Sequence, residues 1–258
     1  MFLSIYSERL HTILFRKGKL FMKIYAVDDV EKNCLEYFNG DELATSVVMN
    51  KYLLKNPDGE YLESGPDDML RSRIVPEFHR IEQKYKNPMS FDDIYEAMKH
   101  FRYIVPQGSP LYGIGNTQQV VSIGNCFVVG QPVDSYAGIL QKDEELAQIM
   151  KRRGGCGVDI STLRPKRAKV NNSAMTSDGI GCFMERYSNT TKEVAQNGRR
   201  GALMVSLDSR HIELEAFINI KSDKSKVTGA NISIKWHDDM LRAVENDEEY
   251  TLRFPVDA

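Results

Sequence analysis

Apolar and polar positions change rhythm once along the chain. From about Tyr25 to Phe101 the apolar residues recur at helical spacing between polar breaks. "GDELATSVVMNKYLL" places Leu43, Val47, Val48 and Leu54 close to one stripe. "SGPDDMLRSRIVPEFHRIEQKY" opens on Pro66 and two acids, which suit a first helical turn. "NPMSFDDIYEAMKHF" offers Ser90 as an N-cap with Asp93 three residues on. From about Tyr103 short strand-like runs alternate with helical ones. The strand candidates are Cys126–Val129, Gly157–Ile160, Ala202–Leu207, Ala230–Trp236 and Tyr250–Phe254. Between them lie Ile139 to Arg153, with Leu146, Ile149 and Met150 as its stripe, and Ile180 to Gln196, then "HIELEAFINI" and "HDDMLRAVEND". Alternating units of this kind predict a mainly parallel sheet covered by helices. The expected organisation is an N-terminal all-helical domain over residues 22–104, an α/β domain over 105–258, and an extension over residues 1–21.

Composition narrows the function classes. The 258 residues are 41% hydrophobic and carry 34 Lys and Arg against 36 Asp and Glu, a net charge of −2. That argues against a nucleic-acid partner held by bulk charge. No run of about 18 apolar residues marks a membrane span. The leading "MFLSIYSERLHTILFRKGKLF" lacks the continuous apolar centre of a secretory signal, and Met22 opens "MKIYAVDD" like a natural start. Four cysteines, Cys34, Cys126, Cys156 and Cys182, have neither CxxC nor zinc-site spacing. No metal site is expected, and a reducing cytoplasm is the natural compartment.

Three loops could carry chemistry. "VPQGSPLYGIGNTQQ" is either an ordinary Gly/Pro connection or an anion cradle built on Ser109 and Thr117. "KRRGGCGVDISTLRPK" ends a helix in three cations, with Gly154 and Gly155 as a C-cap, Gly157 leaving the backbone bare, and Arg164 beyond a strand end. "QNGRRGALM" sets Arg199 and Arg200 between glycines, as a solvated turn or as phosphate or base contacts. His79, His100, His211 and His237 read as structural or surface residues. Cys34 and Cys182 read as packing, and Cys156 as ambiguous.

Taken together, "NPMSFDDIYEAMKHFRYIVPQGSP", "SIGNCFVV", "MKRRGGCGVDISTLRP", "FMERYSNTTKEVAQNGRRGALM" and "KVTGANISIK" resemble the large catalytic subunit of ribonucleotide reductase, most of all its adenosylcobalamin-dependent type. The resemblance implies a ten-stranded α/β barrel of two antiparallel halves behind a helical domain, of which this chain carries the first half. It implies reduction of ribonucleotides to 2′-deoxyribonucleotides through a thiyl radical. Cys126 matches one of the two thiols that reduce the ribose. Ser109, Asn125, Gly154, Gly155 and Arg200 match substrate-side positions. Asp134, Arg164, Lys166 and Arg199 match positions around an effector nucleotide, a dNTP or ATP. Lys166 to Met175 and Gln196 to Gly201 would be two mobile effector loops. Adenosylcobalamin, an external dithiol reductant, the second half of the barrel and a homodimer mate are the implied cofactors and partners. Without that second half the chain is expected to be inactive and to expose an apolar inner face. Cys156 and "LDSRHIELEAF" depart from the family's usual residues. The rival readings are a non-catalytic nucleotide-binding relic or regulator, and an unrelated α/β barrel with a Gly-rich phosphate site.

Overall fold

The computed structural model describes residues 23–194 and 201–257. The expected N-terminal extension, Arg199 and Arg200 lie outside them. The chain divides into two units between Ile123 and Gly124, so the loop and short helix that carry Ser109 fall in the first unit, past the 104/105 boundary expected from texture.

The first unit is built from helices α1 Val27–Tyr37, α2 Glu42–Lys51, α3 Pro66–Asp68, α4 Val75–Glu82, α5 Phe91–Met98 and α6 Gly108–Gly113. A π-helical segment, Met69–Ile74, runs between α3 and α4. Asp41 caps α2 by accepting from Ala44 N, and Ser90 and Asp93 close a reciprocal capping box on α5. Tyr61 forms isolated antiparallel bridges with Tyr25 and Lys55. Val30, Cys34, Met69, Leu70, Ile74, Val75, Tyr95 and Met98 form the core. The α2 stripe turns out narrower than its spacing suggested: Val48 is buried, but Leu43 is 75% exposed.

In the second unit four strands pair in parallel in chain order: β1 Cys126–Val129, β2 Gly155–Asp159, β3 Leu203–Asp208 and β4 Asn231–Lys235. Helices α7 Tyr136–Met150, α8 Ile180–Glu193 and α9 Leu214–Asn219 fall between successive strands, and α10 Asp238–Glu245 follows the sheet. Parallel neighbours need such long crossovers. Strand residues alternate between two faces. One face, with Cys156, Val158, Leu203, Val205 and Leu207, packs with Ile139, Leu146 and Met150 of α7, Ile180, Met184 and Tyr187 of α8, and Leu214 and Phe217 of α9.

The other face differs from the apolar surface expected of a half-barrel. It carries Cys126, Val128, Gly155, Gly157, Asp159, Met204, Ser206, Asp208, Asn231, Ser233 and Lys235. Among the described strand residues, Val128 and Met204 are its only large apolar side chains. The alternation in "LMVSLD" and "NISIK" is that of strands with one core face and one polar face.

Two local expectations change. Tyr250–Phe254 forms no strand; its one β contact is a parallel bridge from Arg253 to His211. Pro255, lacking an N–H, cannot extend a ladder. At the end of α7 the left-handed residue is Arg153, with φ 70°, not a glycine. Gly154 N donates to Ile149 O at 3.2 Å and closes the turn. Gly154 is required for room: a Cβ there would lie 2.5 Å from Ile149 Cγ2 and 3.0 Å from the Phe127 ring.

Candidate functional site

The open face of the sheet grades in chemistry from one end to the other. At the N-terminal end Cys126 opens β1, opposite Gly155. Gly155 N donates to Asn125 O at 2.9 Å, and the Asn125 amide lies 3.4 Å from Cys126 Sγ. The next row runs Val128–Gly157–Met204–Asn231 across all four strands. These residues line a cavity of about 620 Å³, together with Gly201, Lys221, Thr228 and Gly229.

The four thiols separate by environment. Cys126 is exposed on the open face. Cys156, one register step away, points to the other face, with its Sγ 3.9 Å from Leu146 O. Burial, and then the neighbouring Cys126, push its pKa up to about 11, so it is a core thiol. Cys34 is buried in the helical unit and likewise raised to about 11, by burial and then Glu31. Cys182 is exposed, which corrects its reading as a packing residue; it sits in the first turn of α8, Sγ 3.1 Å from Gly179 O. A reactive thiol must be reachable, and on the glycine-lined face that thiol is Cys126.

A second cavity, of about 250 Å³, lies where Asp134 meets Arg164. Arg164 Nε binds Asp134 Oδ2 at 2.7 Å and its backbone N binds Oδ1 at 3.2 Å. Nη1 donates to Lys169 O at 2.9 Å and Nη2 to Asp134 O at 3.4 Å. These bonds occupy three of the five guanidinium N–H groups. Segment 167–177 forms a hairpin beside them, through Arg167 N to Ser177 O, Ser177 N to Ala168 O and Val170 N to Met175 O. Val170, Asn171, Asn172, Ala174, Thr176 and Ser177 of this hairpin line the cavity. Lys166 is exposed and is not part of the lining. Ser109 lies on α6 of the first unit.

The C-terminal end of the open face is held by charge. Asp159 Oδ2 accepts from Gln131 at 2.8 Å and from Lys235 at 2.7 Å, and Oδ1 accepts from Ser161 N at 3.0 Å and from the Ser161 hydroxyl. The Ser161 hydroxyl also accepts from Asp208 N at 2.8 Å. One carboxylate thereby ties the ends of all four strands. Burial would raise the Asp159 pKa, but Lys235, Ser161 and Gln131 outweigh it and hold the carboxyl below its usual range. Because the folded value is the lower one, this stabilisation is full above about pH 4 and is lost as pH falls through the depressed value. Asp159→Asn is expected to cost ~1–2 kcal/mol at neutral pH and to flatten the acid limb of a melting temperature–pH curve. An unchanged acid limb would remove Asp159 from this role.

Nearby, His237 Nε2 lies 2.8 Å from Asp208 Oδ2. His211 is fully buried; its Nδ1 accepts from Glu213 N at 3.1 Å, so Nε2 carries the proton donated to Leu163 O at 3.0 Å. Burial lowers its pKa. Among the described residues no cluster of three His, Cys, Asp or Glu could hold a metal ion, and no helix is long and apolar enough to cross a membrane.

Sequence reasoning left Lys221, Thr228 and Asn231 out of the site and gave Gly157 only a general role. Thr228 and Asn231 lie in "KVTGANISIK", one of the motifs that carry the resemblance, and the alternation of "NISIK" was a further signal for Asn231. Nothing local marked Lys221.

The family model for the ribonucleotide reductase barrel domain matches residues 124–258. The chain is 25% identical over 237 residues to a ribonucleoside-diphosphate reductase large subunit of Caenorhabditis elegans, covering 85% of this chain and 29% of that protein. It is 28% identical over 226 residues to a ribonucleoside-diphosphate reductase large chain of Cryptosporidium parvum, covering 84% and 26%. A vitamin B12-dependent ribonucleoside-diphosphate reductase of Mycobacterium tuberculosis is 28% identical over 218 residues, covering 82% and 30%. The chain thus spans less than a third of the length of these relatives.

Proposed function

The chain belongs to the ribonucleotide reductase family through its barrel domain, and on that premise we propose that it supplies the substrate-facing half of a barrel that converts ribonucleotides to 2′-deoxyribonucleotides. The observation that carries this reading is an exposed thiol, Cys126, beside the bare strand backbone of Gly155 and Gly157 on a sheet whose other face is packed with helices. A ribose laid over the glycines would meet the thiol directly. In the balanced step the C2′–O bond breaks and the oxygen leaves as water. Two thiols, Cys126 and a partner outside the described residues, give two electrons and become a disulfide. An external dithiol restores them. The thiyl radical that removes the 3′ hydrogen would also come from outside the described residues. Radical and dithiol must converge on one sugar, so the polar open face would be closed by a second half-barrel.

Asn125 would orient Cys126 through its amide, and Gly154 would hold the turn that leads into Gly155. Arg200, outside the described residues, would reach the substrate base. Ser109 would bind substrate phosphate. Relatives that are named B12-dependent and relatives that are not match at similar identity. Adenosylcobalamin would supply the radical if this chain follows the B12-dependent relative.

The Asp134–Arg164 cavity would take the effector, a dNTP or ATP. The two guanidinium N–H groups left free by Asp134 and Lys169 would receive phosphate, with Lys166 and Arg199 at its margins. Charge-assisted bonds contribute about 1.5–3 kcal/mol each, so Arg164→Ala is expected to weaken dTTP binding about 10- to 150-fold. Unchanged dTTP affinity by calorimetry would exclude Arg164 from the effector site. A homodimer and a cytoplasmic setting complete the reading, with neither a nucleic-acid nor a membrane partner.

The test of the reaction is a single turnover without external reductant. Deoxynucleotide formed by the full-length protein should cost Cys126 its reactivity towards an alkylating reagent, and dithiothreitol should restore it. Product formed while Cys126 remains fully alkylatable would overturn the assignment.

A further inference from the structure

The chain from Leu163 to Ile180 leaves the sheet after β2, carries Arg164 and the hairpin of the Asp134–Arg164 cavity, and returns to open α8. The N-cap of α8 is Gly179, with φ 83° and no side chain to cap the helix. The cap comes from elsewhere. Glu213, on the turn between β3 and α9, accepts from Ile180 N through Oε2 at 3.0 Å. Its carboxylate stands where a helix dipole favours negative charge. A Cβ at Gly179 would lie 2.5 Å from Glu213 Oε1 and 2.8 Å from Lys166 N. Glycine is needed there both for its backbone conformation and for the room the carboxylate takes.

The same turn holds the other foot of the excursion. His211, two residues before Glu213, donates from Nε2 to Leu163 O at 3.0 Å, next to Arg164. Its Nδ1 accepts from Glu213 N at 3.1 Å, so the buried imidazole also fixes the Glu213 backbone. Both residues lie in "LDSRHIELEAF", the stretch that departs from the family's usual residues. Gly179 N donates to Ser177 Oγ at 3.0 Å, and Ser177 closes the base of the hairpin against Arg167 and Ala168. Ser177 lines the cavity, whereas Glu213 does not. We propose that Glu213 is a positioning residue for the effector: it holds hairpin 167–177 in the conformation that receives a nucleoside triphosphate beside Arg164. This rests on the reading of the Asp134–Arg164 cavity as the effector site. Glu213 acts through Ile180, Gly179 and Ser177. Without its carboxylate the helix end loses its cap, the hairpin spends less time in the receptive conformation, and apparent affinity falls by the same fraction.

The experiment is dTTP calorimetry and hydrogen exchange on the full-length protein. Glu213→Ala should weaken dTTP about five- to tenfold and quicken exchange across residues 167–180 of the ligand-free protein. Glu213→Gln, which keeps an oxygen for Ile180 N, should stay within about twofold of wild type in both. Gly179→Ala, whose methyl group would displace the carboxylate, should resemble Glu213→Ala, and the two together should be non-additive. Unchanged dTTP affinity in Glu213→Ala, a weakening without faster exchange, or a Glu213→Gln protein as weak as Glu213→Ala would overturn the inference while the effector reading stands. Wild-type protein that binds no dTTP would overturn both.

Discussion

Replacing Cys126 by serine is expected to abolish deoxynucleotide formation while leaving CDP binding within about twofold of wild type. The substitution swaps sulfur for oxygen at an exposed strand end, where no core packing depends on it, and the lost amide–thiol contact at 3.4 Å is a weak one. A hydroxyl cannot be oxidised to a disulfide, so the two electrons that must reach C2′ have no source, and the loss is one of stoichiometry rather than of rate. Cys156→Ser is the matched control. Its thiol lies under α7 on the far face, raised to about 11 by burial and then by Cys126. Its replacement should lower stability, by leaving a hydroxyl in an apolar site, yet preserve the product formed per folded molecule. Deoxynucleotide formation by Cys126→Ser, or its loss in folded Cys156→Ser, would reverse the roles assigned to the two thiols.

The sequence disclosed some of this arrangement and hid the rest for physical reasons. β1 lay at Cys126–Val129 as its run of β-branched and aromatic residues suggested, and Ser90 and Asp93 made the reciprocal cap that their spacing allows. Both are local signals. Tyr250–Phe254 had the same local signal and made no strand; its one β contact is the isolated bridge from Arg253 to His211. The glycines after α7 suggested a left-handed cap, yet Arg153 took that conformation, because Gly154 was needed for the approach of Ile149 and Phe127. Tertiary pairings were the least legible. Arg164 and Asp134 both match effector-side positions, but their direct bond joins positions 30 residues apart, and nothing in the spacing shows it. The polar open face was legible in principle, since alternating "NISIK" has Ile232 and Ile234 for the core and Ser233 and Lys235 for the open side.

Gly154 and Gly157, three residues apart, should respond in opposite ways to the same added methyl group. At Gly154 a Cβ would collide with Ile149 and the Phe127 ring, so Gly154→Ala is expected to destabilise the protein by ~1–3 kcal/mol through forced repacking. At Gly157 the nearest atoms to a Cβ are Val128 Cγ2 at 3.9 Å and Phe127 O at 4.0 Å, and no left-handed backbone demands glycine. Alanine there should raise stability by ~0.4–1 kcal/mol, by restricting the unfolded chain. Glycine inside a strand is otherwise a cost; where folding does not require it, close approach by a ligand is the remaining physical reason. Gly157 lies between Val128 and Met204, one row from Cys126, so a methyl group there would lift a ribose off the strand. Even an ångström of displacement costs about a hundredfold in a reaction that depends on near-attack geometry. Gly157→Ala should therefore melt higher and turn over far more slowly, a combination that damage to the fold cannot produce. Wild-type turnover in a stabilised Gly157→Ala protein would show that the nucleotide does not lie on this strand.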